Sequence, residues 1–182
     1  MAATTLSPRL TQVSYGVTGW GTGELVLRGD RPVLHELPWP ARKPSSVRHI
    51  DDFELAERRP RDAAERYVKA VVRYLRGRRV EFGADALGLD ETCDELGYTA
   101  LERAIAHALA GVRWGERISY GELAARAGRP RAPRAAGSFC ANCPLELFLP
   151  AHRVVRSDGS LGEYGSHGIR FKQRLLDLER AA

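Results

Sequence analysis

The chain has 182 residues, 43% of them hydrophobic, and a formal net charge of +5. That is enough for one or two small domains with a packed core, and too apolar for a disordered chain. No apolar run reaches the eighteen or so residues of a membrane span, and Met1 to Pro8 lack the pattern of a secretory leader.

Three cysteines, Cys93, Cys140 and Cys143, are too few for a disulfide scaffold, so a reducing cytoplasm is expected. The charge is uneven. Residues 111–182 hold twelve Lys/Arg against seven Asp/Glu, and residues 1–110 hold sixteen of each. A basic second half is suited to a polyanion, although a basic balance can also serve solubility alone.

In chain order, Val13–Val17, Glu24–Arg28 and Pro32–Leu37 alternate apolar and polar residues and are predicted strands. Gly29-Asp30 supplies the turn between the last two. Arg28-Gly29-Asp30 is taken as part of that turn and not as an adhesion signal. Residues 38–60, rich in Pro, Arg and Ser, are predicted to be an irregular surface connection. A helix is expected from Asp62, capped by Asp62 with Glu65. It carries the stripe Ala64, Tyr67, Val68, Val71 and Leu75 and stops at Gly77. Residues 83–98 are assigned to a crossover.

Thr99 with Glu102 marks the next helix start. Its stripe is Leu101, Ala104, Ile105, Ala108 and Leu109, and it stops at Gly111. Ser119 with Glu122 starts another, which ends at Gly128. Pro133 suits the first position of a third, running toward Ala141. The last two, joined by Gly128–Ala132, fit a helix-turn-helix pair. Arg131 and Arg134 stand at the start of the second helix, where arginines reach phosphates or bases. Its small residues Ala135 to Ser138 suit either a close approach to DNA or close packing on a neighbouring helix. Leu145–Leu149 is predicted to be extended, and Asp158-Gly159 a turn between Val154–Arg156 and Leu161–Tyr164. A final helix is expected over Ile169–Arg180.

Three blocks carry chemistry: Ile118–Ala124 (ISYGELA), Pro133–Gly137 (PRAAG) and Leu149–Val155 (LPAHRVV). In this order and at these separations they resemble the O6-alkylguanine-DNA alkyltransferases, most densely over residues 99–182 and more weakly over 10–90. The family's reactive motif reads Pro-Cys-His-Arg-Val, and this sequence has Ala151 at the cysteine position.

The resemblance implies an α+β fold. A small N-terminal sheet-plus-helix domain over 1–90, ribonuclease-H-like in the family, would precede a mainly helical, winged-helix-like C-terminal domain over 95–182 that binds DNA. It implies that His152 and Glu179 descend from the relay that makes the family's cysteine a thiolate, with Lys172 seven residues before Glu179. It assigns Tyr120 and Arg134, with Arg131 nearby, to flipping the damaged nucleotide, and Pro150, Val154, Val155 and Tyr164 to the base pocket.

With a methyl group at position 151, the reading is a binder of O6-alkylguanine in double-stranded DNA. It would flip the base without taking its alkyl group and leave the lesion for nucleotide-excision repair, as alkyltransferase-like proteins do. Two alternatives stay open. One is a methyltransferase whose acceptor was replaced by alanine, naturally or deliberately. The other is a helix-turn-helix DNA binder with no lesion preference. The expected molecule is a cytoplasmic monomer, nucleoid-associated if bacterial, without cofactor, metal or membrane partner. Cys140-x-x-Cys143 lacks the second ligand pair of a zinc site, and nothing adjacent in sequence activates Cys143 as a displaced acceptor.

The pattern departs from the family at three places. Cys143 falls where the family has a turn-stiffening asparagine, with Asn142 one residue earlier. Glu146 replaces a small residue or proline at the pocket rim. The Tyr164–Glu179 stretch is one residue longer than usual, around Ser166 and His167.

Overall fold

The computed structural model describes residues 10–39, 58–165 and 167–181. Three strands, β1 (Leu10–Val17), β2 (Gly21–Arg28) and β3 (Arg31–Trp39), form an antiparallel sheet in the order β1-β2-β3. Alternation puts Tyr15, Val17, Leu25, Leu27, His35 and Leu37 inside. Gly23, opposite Tyr15, is needed: a Cβ there would lie 2.6 Å from the Glu36 carbonyl oxygen and 2.7 Å from the Tyr15 ring.

Helix α1 (Arg58–Leu75) packs on β1 and β2. The expected stripe, Ala64, Tyr67, Val68, Val71 and Leu75, is buried, and Gly77 ends the helix with φ +75°. The start differs from expectation. The helix begins at Arg58, so Asp62 is an exposed residue inside it and not its cap. Pro60 does not oppose this, because the first-turn N–H groups have no intrahelical partner to lose.

Residues 83–98 fold into two short helices, α2 (Ala84–Leu87) and α3 (Leu89–Glu95), that bury Leu87, Leu89 and Cys93. Helix α4 (Ala100–Ala110) starts at Thr99 and α5 (Tyr120–Arg126) at Ser119, each with both bonds of its capping box. On α4, Ile105, Ala106 and Leu109 are fully buried, while Leu101, Ala104 and Ala108 flank them. Helix α6 (Pro133–Asn142) follows a turn through Gly128, φ +72°.

The two-residue strands β4 (Ile118–Ser119) and β5 (Val154–Val155) pair in parallel and set the start of α5 beside the segment after Ala151. Helix α7 (Gly168–Ala181) closes the chain's described part and buries Leu175 and Leu176, with Leu178 half-buried.

Two predicted extended runs are not strands. Leu145–Leu149 folds back on itself, with Leu149 N–H donating to the Leu145 carbonyl at 2.9 Å and Leu147 in the left-handed region at φ +69°. Its apolar side chains are buried all the same, so hydrophobicity without regular pairing produced the strand signal. Residues 161–164 make no ladder, although the preceding turn forms, with Gly159 at φ +81°. One continuous core runs from the sheet through α1 to α7.

Candidate functional site

The sequence Pro150–Val155 makes one 3-10 turn, Ala151–Arg153, and then enters β5. Ala151 is 5% exposed and His152 fully buried. The two polar side chains of this turn, His152 and Arg153, both converge on Glu179 of α7.

Glu179 Oε1 accepts from His152 Nε2 at 2.9 Å, from the Tyr74 hydroxyl of α1 at 2.5 Å and from Arg153 Nε at 3.0 Å. Its Oε2 accepts from the Gly115 N–H at 3.0 Å, and its backbone carbonyl accepts from Trp114 Nε1 at 3.1 Å. Arg153 also donates to the Val112 carbonyl at 2.5 Å. Burial pushes Glu179 upward, but the hydrogen bonds from His152 and Arg153 and the charge of Arg153 outweigh it and hold the carboxyl at about 2. Burial drives His152 below its ordinary value against the pull of Glu179, so the imidazole is neutral. Nε2–H then faces Glu179, and Nδ1 has no hydrogen-bond partner among the described residues.

A base therefore stands next to position 151, and position 151 offers only a methyl group. The remaining thiols do not replace it. Burial raises all three, Cys140 and Cys143 to about 12 and Cys93 by a smaller amount, so they are thiols and not thiolates.

The structure places the other predicted residues as follows. Tyr164 is buried with its ring stacked on Phe171 (6.4 Å) and edge-on to His152 (6.2 Å). Pro150, Val154 and Val155 are buried beside Ala151. Tyr120, half-buried at the start of α5, lies so close to Gly162 that a Cβ there would come within 2.5 Å of its hydroxyl. Lys172 Nζ stands 5.9 Å from the Tyr120 ring centre and donates to the Val154 carbonyl at 2.6 Å. Burial lowers that ammonium to about 8.

Arg131 and Arg134 are not drawn into this cluster. Both are exposed, and among the described residues neither has an ion-pair partner. On α6, Ala136 is buried and Gly137 faces the Tyr120 ring, so these small residues serve helix packing, while Arg134 and Ser138 remain outside.

The departures from the family pattern have structural answers. Asn142 donates back to the Ser138 carbonyl at 2.8 Å and finishes α6. Glu146 turns toward the N-terminal sheet: its Oε2 accepts from the Leu37 N–H at 2.8 Å and lies 2.8 Å from His167 Nε2. The backbone bonds His35 N–H to Pro144 carbonyl (2.8 Å) and Glu146 N–H to His35 carbonyl (3.2 Å) join β3 to the same loop. His35, fully buried, donates from Nδ1 to the Glu146 carbonyl and accepts the Tyr15 hydroxyl at Nε2, both at 2.5 Å. His167, in the loop before α7, thus gives Glu146 its side-chain partner.

Sequence reasoning missed Tyr74, Arg153, Gly115 and the His35–Glu146–His167 cluster. Arg153 lay inside a quoted motif and its charge in an apolar run was the available signal. Tyr74 sits on the stripe side of α1, where nothing marks its hydroxyl as a donor.

The family model described as 6-O-methylguanine DNA methyltransferase, DNA binding domain, matches residues 100–181. Over that stretch the chain is similar to the O6-methylguanine-DNA methyltransferase family. The regulatory protein ada of Salmonella typhimurium is 34% identical over 169 residues, 92% of this chain and 45% of that protein. A methylated-DNA–protein-cysteine methyltransferase of Methanothermobacter thermautotrophicus is 33% identical over 120 residues, 66% of this chain and 63% of the relative. The chain thus spans less than two thirds of these curated relatives. The Mycobacterium tuberculosis O6-methylguanine methyltransferase shares the fold, with a TM-score of 0.64 at 24% identity and 94% of each chain covered. The α+β arrangement, small sheet first and helices after, is common to both.

Among the described residues no helix is long and apolar enough to cross a membrane, and no group of three or more His, Cys, Asp or Glu stands where it could hold a metal ion.

Proposed function

We propose that this protein recognises O6-alkylguanine in double-stranded DNA and holds it without accepting the alkyl group. The observation that carries the reading is Ala151. The buried His152–Glu179–Arg153 network around it is complete, the nucleophile is missing, and burial keeps every other thiol protonated. Loss of the whole activity by drift would be expected to loosen a buried ion pair that no longer serves a reaction, since such pairs are costly to keep.

In this reading α5 and α6 act as a helix-turn-helix within a winged-helix-like C-terminal domain over 95–182, preceded by the N-terminal domain over 1–90. The exposed Arg134, with Arg131, enters the duplex and fills the space of the flipped nucleotide, and Tyr120 helps rotate it. Pro150, Val154, Val155 and Tyr164 line the base. Weakened pairing of the alkylated base lowers the cost of extrusion, which favours the lesion over guanine. The protein acts as a cytoplasmic monomer near the nucleoid, and the persistent complex marks the site for nucleotide-excision repair.

The test is affinity for one duplex with a central O6-methylguanine against the same duplex with guanine, at one stated salt concentration. Preference for the lesion, with no gain in protein mass after incubation, is the expected result. Equal affinities would overturn it and leave a DNA binder without lesion preference.

A second reading is favoured by the neutral His152 with its unused Nδ1. The site would be that of a methyltransferase lacking only its acceptor. Ala151→Cys would then acquire one methyl group per protein from O6-methylguanine DNA.

A further inference from the structure

The balanced charge of residues 1–110 hides a segregated one. Residues 58–79 hold nine Lys/Arg against two Asp/Glu, while the rest of that half holds seven against fourteen. Helix α1 sorts these charges by face. Its buried side carries Ala63, Ala64, Tyr67, Val68, Val71, Tyr74 and Leu75. Arg66, Lys69, Arg73 and, one residue past the helix, Arg76 follow one another at steps of three and four, and all are exposed. They form one rank about 15 Å long on the side opposite the core.

The cations differ in their engagement. Lys69 is paired with Glu65, and the Arg66 guanidinium lies 5.4 Å from the Tyr67 ring centre. Among the described residues Arg73 and Arg76 have no ion-pair partner. Both stand on the rim of a surface cavity of about 670 Å³ between α1 and the β1–β2 turn, floored by Val17, Trp20, Val72 and Leu75.

We infer that this rank is a second contact surface for the phosphate backbone of duplex DNA, separate from α5 and α6. The inference rests on the proposed DNA binding only in naming which polyanion is met. A straight rank of cations suits a regular line of charges better than a single small anion. A membrane surface fits less well, because an interfacial helix needs its apolar face free and that of α1 is sealed in the core. Single-stranded nucleic acid fits less well too, because Trp20 and Tyr67, the aromatic rings beside the rank, are buried and offer no stacking platform.

The test compares the unaltered chain with Arg73→Gln/Arg76→Gln, two exposed positions outside the core, on an unmodified duplex over a salt series. Thermal melting checks that the variant is folded. Loss of two phosphate contacts lowers the slope of log affinity against log salt by about 2. Binding of every duplex weakens together, and the ratio of lesion to guanine affinity is unchanged. An unchanged slope overturns the inference. So does binding of the unaltered chain to phosphatidylglycerol vesicles that the double substitution abolishes while duplex binding stays intact.

The two readings fail separately. Salt-dependent duplex binding without lesion preference, weakened by the double substitution, sinks the lesion reading and keeps this one. Lesion preference with an unchanged slope does the reverse.

Discussion

Two carboxylates tie down the two ends of segment 144–155, the buried Glu179 from α7 and the half-buried Glu146 from within the segment, and they differ in how they are satisfied. Glu179 takes hydrogen bonds from two side chains of the turn Ala151–Arg153, from Tyr74 and from the Gly115 backbone, and is 5% exposed. Glu146 takes one backbone N–H from β3 and pairs with His167, with its side chain 16% exposed. The first anchors the turn around Ala151, and the second anchors the loop before it to the sheet. Position 151 lies between them, held as firmly as a reactive residue would need while bearing no reactive atom.

The sharpest way to break the comparison is to remove each anchor. Glu179→Ala leaves Arg153 buried without its main partner and should cost about 3–5 kcal/mol in denaturant unfolding. Glu146→Ala, which strands one backbone donor at a wetter site, should cost about 1–3 kcal/mol. Equal losses would mean the two grips are equivalent.

Acid should also separate the two ends. Burial holds His35, on the Glu146 side, at about 4 against an ordinary 6.5. The unfolded chain therefore takes up this proton first. The contribution of His35 is present above pH 6.5 and is lost as pH falls toward 4, about 3 kcal/mol in all. Glu179 lies at about 2 against an ordinary 4.5, so its contribution is lost only below pH 4.5. Melting temperature followed against pH should fall in two stages, and His35→Gln should shrink the earlier one, to which the buried His152 also contributes. A single stage shared by both proteins would unseat the assignment.

The smallest effect is Tyr74→Phe, which deletes one of several donors to Glu179. It should cost about 0.5–1.5 kcal/mol, and a double-mutant cycle with Glu179→Gln should show the two coupled.

Capping boxes at Thr99 and Ser119, the Gly77 and Gly128 stops and the alternation of the three strands were readable because local backbone chemistry fixes them. The pairing of His152 with Glu179 was readable only through the resemblance. The Glu146 grip was not, because its partners lie on β3 and in the loop before α7, far apart in sequence. Leu145–Leu149 misled because burial without pairing looks the same as a buried strand.

The position of Glu179 in the chain has a consequence for how the molecule is made. Its partners come 105, 64, 27 and 26 residues earlier, at Tyr74, Gly115, His152 and Arg153. Until α7 docks, the Arg153 guanidinium has only the more exposed Glu81 carboxylate, 3.5 Å away, as an ion-pair partner, so the turn around Ala151 lacks its main anchor. Assembly waits on contacts of long sequence separation, which are the slow ones to form. During synthesis the first part to take shape would be the sheet with α1, and the turn around Ala151 the last.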